Sequence, residues 1–270
     1  MKRATIFSIF AALFIYCIVV AAVQASAQPV DNQQAMLTQA RKSYYDLRRQ
    51  GLSTFQCTMT PDWGLLLQNQ GLPPGAIGRA VGILNQLHFV VSVAADDSVT
   101  LTHNDLAGQT DRMNAALEQI YGGMEQMTSG FFDTWKLFML NRPLPEANSQ
   151  YKLETAGPQQ YLLTYKEGTA DIATNMGQNF AISNLKVATP QFNSSIQPSF
   201  TTSPDGYILS AYTADYTSGN PAEATKLNVT MDYQVVQGLQ LLKDLSLSGT
   251  YGGNPFGVNL TFSDCTLTKK

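Results

Sequence analysis

One run of alternating residues near the C-terminus constrains the fold of this chain more than any other feature. Leu227, Val229, Met231, Tyr233 and Val235 alternate with Asn228, Thr230, Asp232 and Gln234, the period-2 pattern of a strand buried on one face only. Strands with one buried and one wetted face belong to antiparallel sheets. After Gly238 a second run extends from Leu239 to Ser248, a turn is expected over residues 249–257, and Val258, Leu260 and Phe262 then alternate with Asn259, Thr261 and Ser263 before Cys265. Upstream, strand patterns over residues 151–155, 160–165, 170–176, 180–187 and 207–214 are separated by turn chemistry such as Ala156-Gly157-Pro158, Glu167-Gly168 and Ser203-Pro204-Asp205-Gly206. Consecutive strands with such short connections predict a meander. Residues 189–202, with Pro190 and Pro198, are expected to be irregular or an edge.

The N-terminal half reads as helical cover around a few strands. Met36, Ala40, Tyr44 and Leu47 recur at helical spacing and predict an amphipathic helix over residues 32–50, ended by Gly51. Residues 53–60 follow as a strand with Phe55, Cys57 and Met59 on one face. A helix is predicted over residues 76–87, in which Gly78 and Gly82 predict close approach to a neighbouring element. Strands over residues 88–94 and 99–103 flank the turn Ala95-Asp96-Asp97-Ser98. The longest helical pattern covers residues 109–141, with Met113, Leu117, Ile120, Met124, Met127, Phe131, Trp135 and Phe138 at intervals of three or four. Gly122-Gly123 and Gly130 interrupt it at about 1 kcal/mol each relative to alanine, which predicts bends or a break into two helices.

Residues 1–27 read as a signal peptide. Lys2 and Arg3 precede an apolar run from Ile6 to Val23, and Ala25-Ser26-Ala27 supplies the small-x-small cleavage pattern, which puts the cut after Ala27 and leaves residues 28–270 as a single domain. Retention of the run as a membrane anchor is the competing reading, disfavoured by the Ala-x-Ala exit. Cys17 lacks the small residues that precede a lipid-modified cysteine. Loss of Lys2 and Arg3 moves the net charge from −3 to −5, and an acidic surface without a basic stripe speaks against a nucleic-acid partner. Cys57 and Cys265 remain, and an even cysteine count in an exported chain predicts a disulfide, with two unpaired thiols as the alternative. The bridge would close a loop of 208 positions, for which chain entropy gives an upper figure of roughly 5 kcal/mol. Cys265 falls on the parity of Asn259 and Thr261, so a β-bulge near Ser263 and Asp264 is required to turn it toward Cys57.

No cluster in the sequence names a reaction. His88 and His103 each border a predicted strand, and the chain contains no Gly-x-Ser-x-Gly elbow, so it is not read as an enzyme. His103-Asn-Asp105 lacks a second cluster to complete a metal site, and Asp96-Asp97 suits a hairpin turn better than calcium. No metal and no cofactor is expected.

Met36-Leu-Thr-Gln-Ala40, running through Tyr44 to Ser53-Thr-Phe-Gln56, resembles the opening helix and first strand of the LolA-type periplasmic lipoprotein carriers and the related mycobacterial lipid-binding lipoproteins. Asp232-Tyr-Gln-Val-Val-Gln-Gly-Leu239 is similar to that family's late turn between two strands. The resemblance implies an α+β fold: an antiparallel meander forming an incomplete, half barrel with helices covering its concave face. It also implies an extracytoplasmic carrier that holds a lipid or lipoprotein acyl group non-covalently in an apolar cavity, with a lipid or acylated protein as partner. Met113, Leu117, Met124, Met127, Phe131, Trp135 and Phe138 would line the cavity or its lid, because methionine re-packs readily and aromatic rings offer contact area. Ordinary core packing is the alternative for each of them. The competing function is a cell-envelope scaffold module with a filled core, binding a protein partner through an edge or loops.

Overall fold

The computed structural model describes residues 30–68, 73–108, 110–141, 143–146, 149–218, 220 and 224–270; the expected signal segment, with Cys17 and the cleavage site at Ala27, lies outside the described residues. Helix α1 (Val30–Lys42) leads to strand β1 (Leu52–Pro61), short helices α2 (Trp63–Gln68) and α3 (Pro74–Leu84), the hairpin β2 (Phe89–Val93) and β3 (Val99–His103), and the long helix α4 (Asp111–Met139). Nine strands then follow in succession: β4 (Tyr151–Gly157), β5 (Gln160–Glu167), β6 (Ala170–Gly177), β7 (Ile182–Ala188), β8 (Phe192–Ser203), β9 (Gly206–Ser218), β10 (Thr225–Val236), β11 (Leu239–Tyr251) and β12 (Asn254–Lys269). All twelve described strands form one unclosed antiparallel sheet in the order β3-β2-β1-β12-β11-β10-β9-β8-β7-β6-β5-β4. The first strand is therefore inserted beside the last, and β3 and β4 are the two ends.

That insertion is held covalently. Gln56 pairs with Thr266 and Thr58 with Ser263, so Asp264 and Cys265 together oppose Cys57, and Asp264 takes a positive φ of 49° at this bulge. The extra residue restores the parity that strict alternation denied to Cys265, and the Cys57–Cys265 disulfide forms with its Cα atoms 4.1 Å apart.

Helix α1 stops at Lys42 rather than running to Gln50. Ser43 to Leu47 instead cross the sheet end as a strap: Tyr45 N donates to Tyr207 O at 3.0 Å and Tyr207 N to Ser43 O at 2.8 Å. Gly206 permits this contact, since it has φ +120° and a Cβ there would lie 2.7 Å from Ser43 O. Tyr44, fully buried, donates its hydroxyl to Phe180 O at 2.7 Å and accepts from Ile182 N at 2.8 Å, while Tyr45 Oη accepts from Gln240 N at 3.0 Å. Arg48 donates to the carbonyl oxygens of Leu52, Ser53 and Ala94 and to the Asp97 carboxylate in the β2–β3 turn. These satisfied polar contacts outweigh the helical periodicity of the segment.

Three other expectations are corrected. Residues 189–202 contain a true interior strand, β8, and Pro198 is tolerated because β7 pairing ends at Leu185 opposite Ile196, so no ladder partner needs its missing N–H. The expected turn over residues 249–257 shrinks to Gly252-Gly253, both at positive φ, between the paired ends Tyr251 and Asn254. Gly78 and Gly82 face open space rather than a close neighbour.

Helix α4 also differs, running unbroken through Gly122, Gly123 and Gly130. Leu117, Met124, Phe131, Phe132, Trp135, Phe138 and Met139 are all buried along it, and at about 1.5–3 kcal/mol per buried large apolar side chain this outweighs three glycines. The rings interlock with the sheet edge-to-face: Trp135 with Phe55 at 6.1 Å, Phe132 with Phe262 at 6.4 Å and Phe138 with Phe200 at 5.7 Å between centroids.

Replacing both Cys57 and Cys265 by serine is expected to lower the unfolding free energy by up to about 5 kcal/mol, read from denaturant curves. Tyr44→Phe, which strands a buried carbonyl and a buried N–H, is expected to cost about 1–3 kcal/mol in the same assay. Two titratable thiols in the unfolded, unreduced protein would contradict the bridge.

Candidate functional site

The sheet register brings a row of apolar side chains together at the end where β8, β10 and β12 begin and β9 and β11 finish. Thr225 pairs with Tyr216 on one side and Tyr251 on the other; one step further in, Leu227 pairs with Gly249, which in turn faces Phe256. A Cβ at Gly249 would collide with the Lys226 carbonyl oxygen, so the floor between Leu227 and Phe256 carries no side chain. Over this end lies the middle of α4, and it presents Gly123 and Gly130 together with Gln126, Met127, Phe131, Asp133 and Thr134. A Cβ at Gly123 or Gly130 would meet nothing within 4 Å, so helix and sheet are not in contact at these two positions. The result is an open groove of about 740 Å³ completed by Phe192 and Leu247.

The groove surface is predominantly apolar and reaches solvent. Phe192 is 42% exposed and Tyr251 54% exposed, two of three large hydrophobic side chains left exposed among the described residues. Its polar groups are few: Thr134 Oγ1 and Tyr216 Oη share a hydrogen bond of 3.0 Å, and Asp133 pairs with Lys136 at 2.9 Å.

Of the stripe on the long helix, Met127 and Phe131 line the groove. Leu117, Met124, Trp135 and Phe138 are buried in the core, Met113 packs against that core, and Trp135 Nε1 donates to Tyr233 Oη at 3.2 Å. Sequence reasoning missed the strand side of the groove. Tyr251 and Phe256 flank a two-glycine hairpin turn, a recognisable signal that was absorbed into an overlong loop, whereas Phe192 follows Pro190 and carried no strand pattern. His103 stacks on Tyr121 with centroids 3.6 Å apart, and Asp97 is engaged by Arg48. No group of three or more His, Cys, Asp or Glu side chains among the described residues could hold a metal ion.

A set of buried tyrosines underlies the helix. Tyr233 Oη accepts from Trp135 and donates to Leu209 O at 2.6 Å. Burial pushes the hydroxyls of Tyr44, Tyr212 and Tyr233 well above the ordinary tyrosine range, and pushes Tyr165 up to about 12.

No protein-family model matches the chain, and no curated protein or solved structure matches it.

These tyrosines set a pH limit. An unfolded tyrosine loses its proton near about pH 10, whereas the buried ones hold theirs to higher pH, so between those values the folded state binds more protons and stability falls as pH rises. The contribution is fully present below about pH 10 and is lost as pH climbs through the folded values. Denaturant midpoints measured with tyrosinate absorbance are expected to fall together above that point; a flat midpoint through pH 12 would contradict it.

Proposed function

We propose that the protein is an extracytoplasmic carrier that holds a lipid or lipoprotein acyl group non-covalently in the groove between α4 and strands β8–β12. On this reading the unclosed sheet acts as an incomplete barrel and the helices lie across its concave face, as in the LolA-type carriers that the sequence resembles.

One observation carries the proposal. Gly123 and Gly130, each costly in a helix, line the groove where larger side chains would fill it, and so leave an apolar groove open to solvent. A volume of about 740 Å³ falls within the ordinary range of small-molecule sites. An alkyl chain entering it gains about 0.8 kcal/mol per methylene removed from water. Met127, Phe131, Leu227, Leu247 and Phe256 supply the contact surface. The expected signal segment supports placement outside the cytoplasm.

The scaffold reading draws on the other end of the same helix, where Phe132, Trp135 and Phe138 are buried against rings of the sheet. A protein whose groove binds nothing would leave that reading in place.

Gly123→Leu and Gly130→Leu are expected to fill the groove without a clash. Each should raise stability by about 1 kcal/mol through helix propensity and abolish displacement of a fluorescent apolar probe. Gly122→Leu, on the same helix but outside the groove, should stabilise equally and leave probe binding intact. Organic extraction of detergent-free protein followed by mass spectrometry should show bound lipid in the wild type and not in the filled variants. Absence of both lipid and probe binding in the wild type overturns the carrier.

A further inference from the structure

Resting on the carrier reading, the groove also carries a chemical preference in its wall. Thr134 and Tyr216 face the groove and share one hydrogen bond of 3.0 Å. Two hydroxyls joined by one such bond use one proton between them and leave the other to donate. Tyr212 precedes Tyr216 by four residues on the same face of β9; it is 2% exposed and sits behind the lining pair, with its hydroxyl beside Thr134. Three hydroxyls joined by at most two such links leave at least one proton undonated at one spot beside the apolar groove. A buried donor of this kind calls for an acceptor.

The charge of that acceptor is restricted by what surrounds it. Among the described residues lining the groove none is lysine, arginine or histidine, and the one carboxylate, Asp133, is already paired with Lys136. Lys226, between the lining residues Thr225 and Leu227, lies on the exposed face of β10, 4.0 Å from Asp215. Burial pushes both Tyr212 and Tyr216 above their ordinary range, so they stay neutral donors at neutral pH. A carboxylate drawn against this wall would lose hydration without meeting a counter-charge, whereas a carbonyl oxygen gains its hydrogen bond at far lower desolvation cost.

We propose that Thr134, Tyr212 and Tyr216 form a neutral hydrogen-bond-donating subsite that takes the uncharged carbonyl oxygen of an acyl ester or amide and discriminates against the free fatty acid. The ligand is held as an acylated molecule, and a hydrolysed chain is released in preference.

Three ligands of one chain length test this on detergent-free protein at pH 8 by displacement of the apolar probe: a monoacylglycerol, the alkyl glycerol ether that lacks the carbonyl, and the free fatty acid. The ester is expected to bind about fivefold tighter than either of the others, the scale of one net hydrogen bond. In the Tyr212→Phe, Tyr216→Phe double variant, checked for unchanged thermal unfolding, the advantage of the ester over the ether should shrink to about twofold or less. An acid that binds as well as the ester, or an ester advantage that survives in the double variant, overturns the subsite while leaving the carrier standing. Failure of all three ligands and of the probe overturns the carrier as well.

Discussion

The pairing of β1 with β12 is the constraint on which the rest of the structure depends. Strands β4 to β12 can each pair with a neighbour in sequence, but β1, β2 and β3 join the sheet only through β1 lying beside β12. A slip of one residue in that ladder would turn Phe55, Cys57 and Met59 to the wetted face. The bulge at Asp264 and the disulfide fix the register at one point. The strap of Ser43 to Leu47 and the adjoining Arg48 fix it from outside the ladder, because Tyr44, Tyr45 and Arg48 bind the β6–β7 connection, β11 and the β2–β3 turn respectively.

Helix α4 then serves two ends along its length. Its C-terminal half is anchored by aromatic rings interlocked with side chains of the sheet, and its middle, thinned by glycine, leaves a groove above the strands. The two halves are coupled: the anchored rings hold α4 in place, so the glycines leave a gap instead of letting the helix settle onto the strands. In a helix free to move, removing side chains would draw the surfaces together. The groove therefore exists because of Phe132, Trp135 and Phe138, none of which lines it.

Period-2 alternation made most of the sheet legible in the sequence, because one-sided burial writes itself directly into residues such as Val229, Met231, Val258 and Leu260. The bulge beside Cys265 was legible as well, since parity and the need to reach Cys57 conflict until an extra residue resolves them. Harder to read were positions where a tertiary contact overrides a local pattern. Tyr44 and Leu47 keep helical spacing but are claimed by the strap, and Pro198 suggests irregularity but sits where one ladder has already ended. The glycines of α4 were visible as a cost; what they leave open could not be seen, because it depends on Leu227, Tyr251 and Phe256, about 100 residues away or more.

The placement of β1 has a consequence in time. Ribosomes add about 5–20 residues per second, so once Cys57 has been made, the 208 positions to Cys265 take roughly 10–40 s to appear. Throughout that interval β1, β2 and β3 can pair with one another and take α4 as cover, but the edge of β1 that receives β12 stays open while the meander grows strand by strand. A nascent chain in this condition exposes sticky strand edges until its last few residues arrive. Truncation by a handful of C-terminal residues would therefore bare the start of β1 and take away the partner of Cys57, at the opposite end of the sequence.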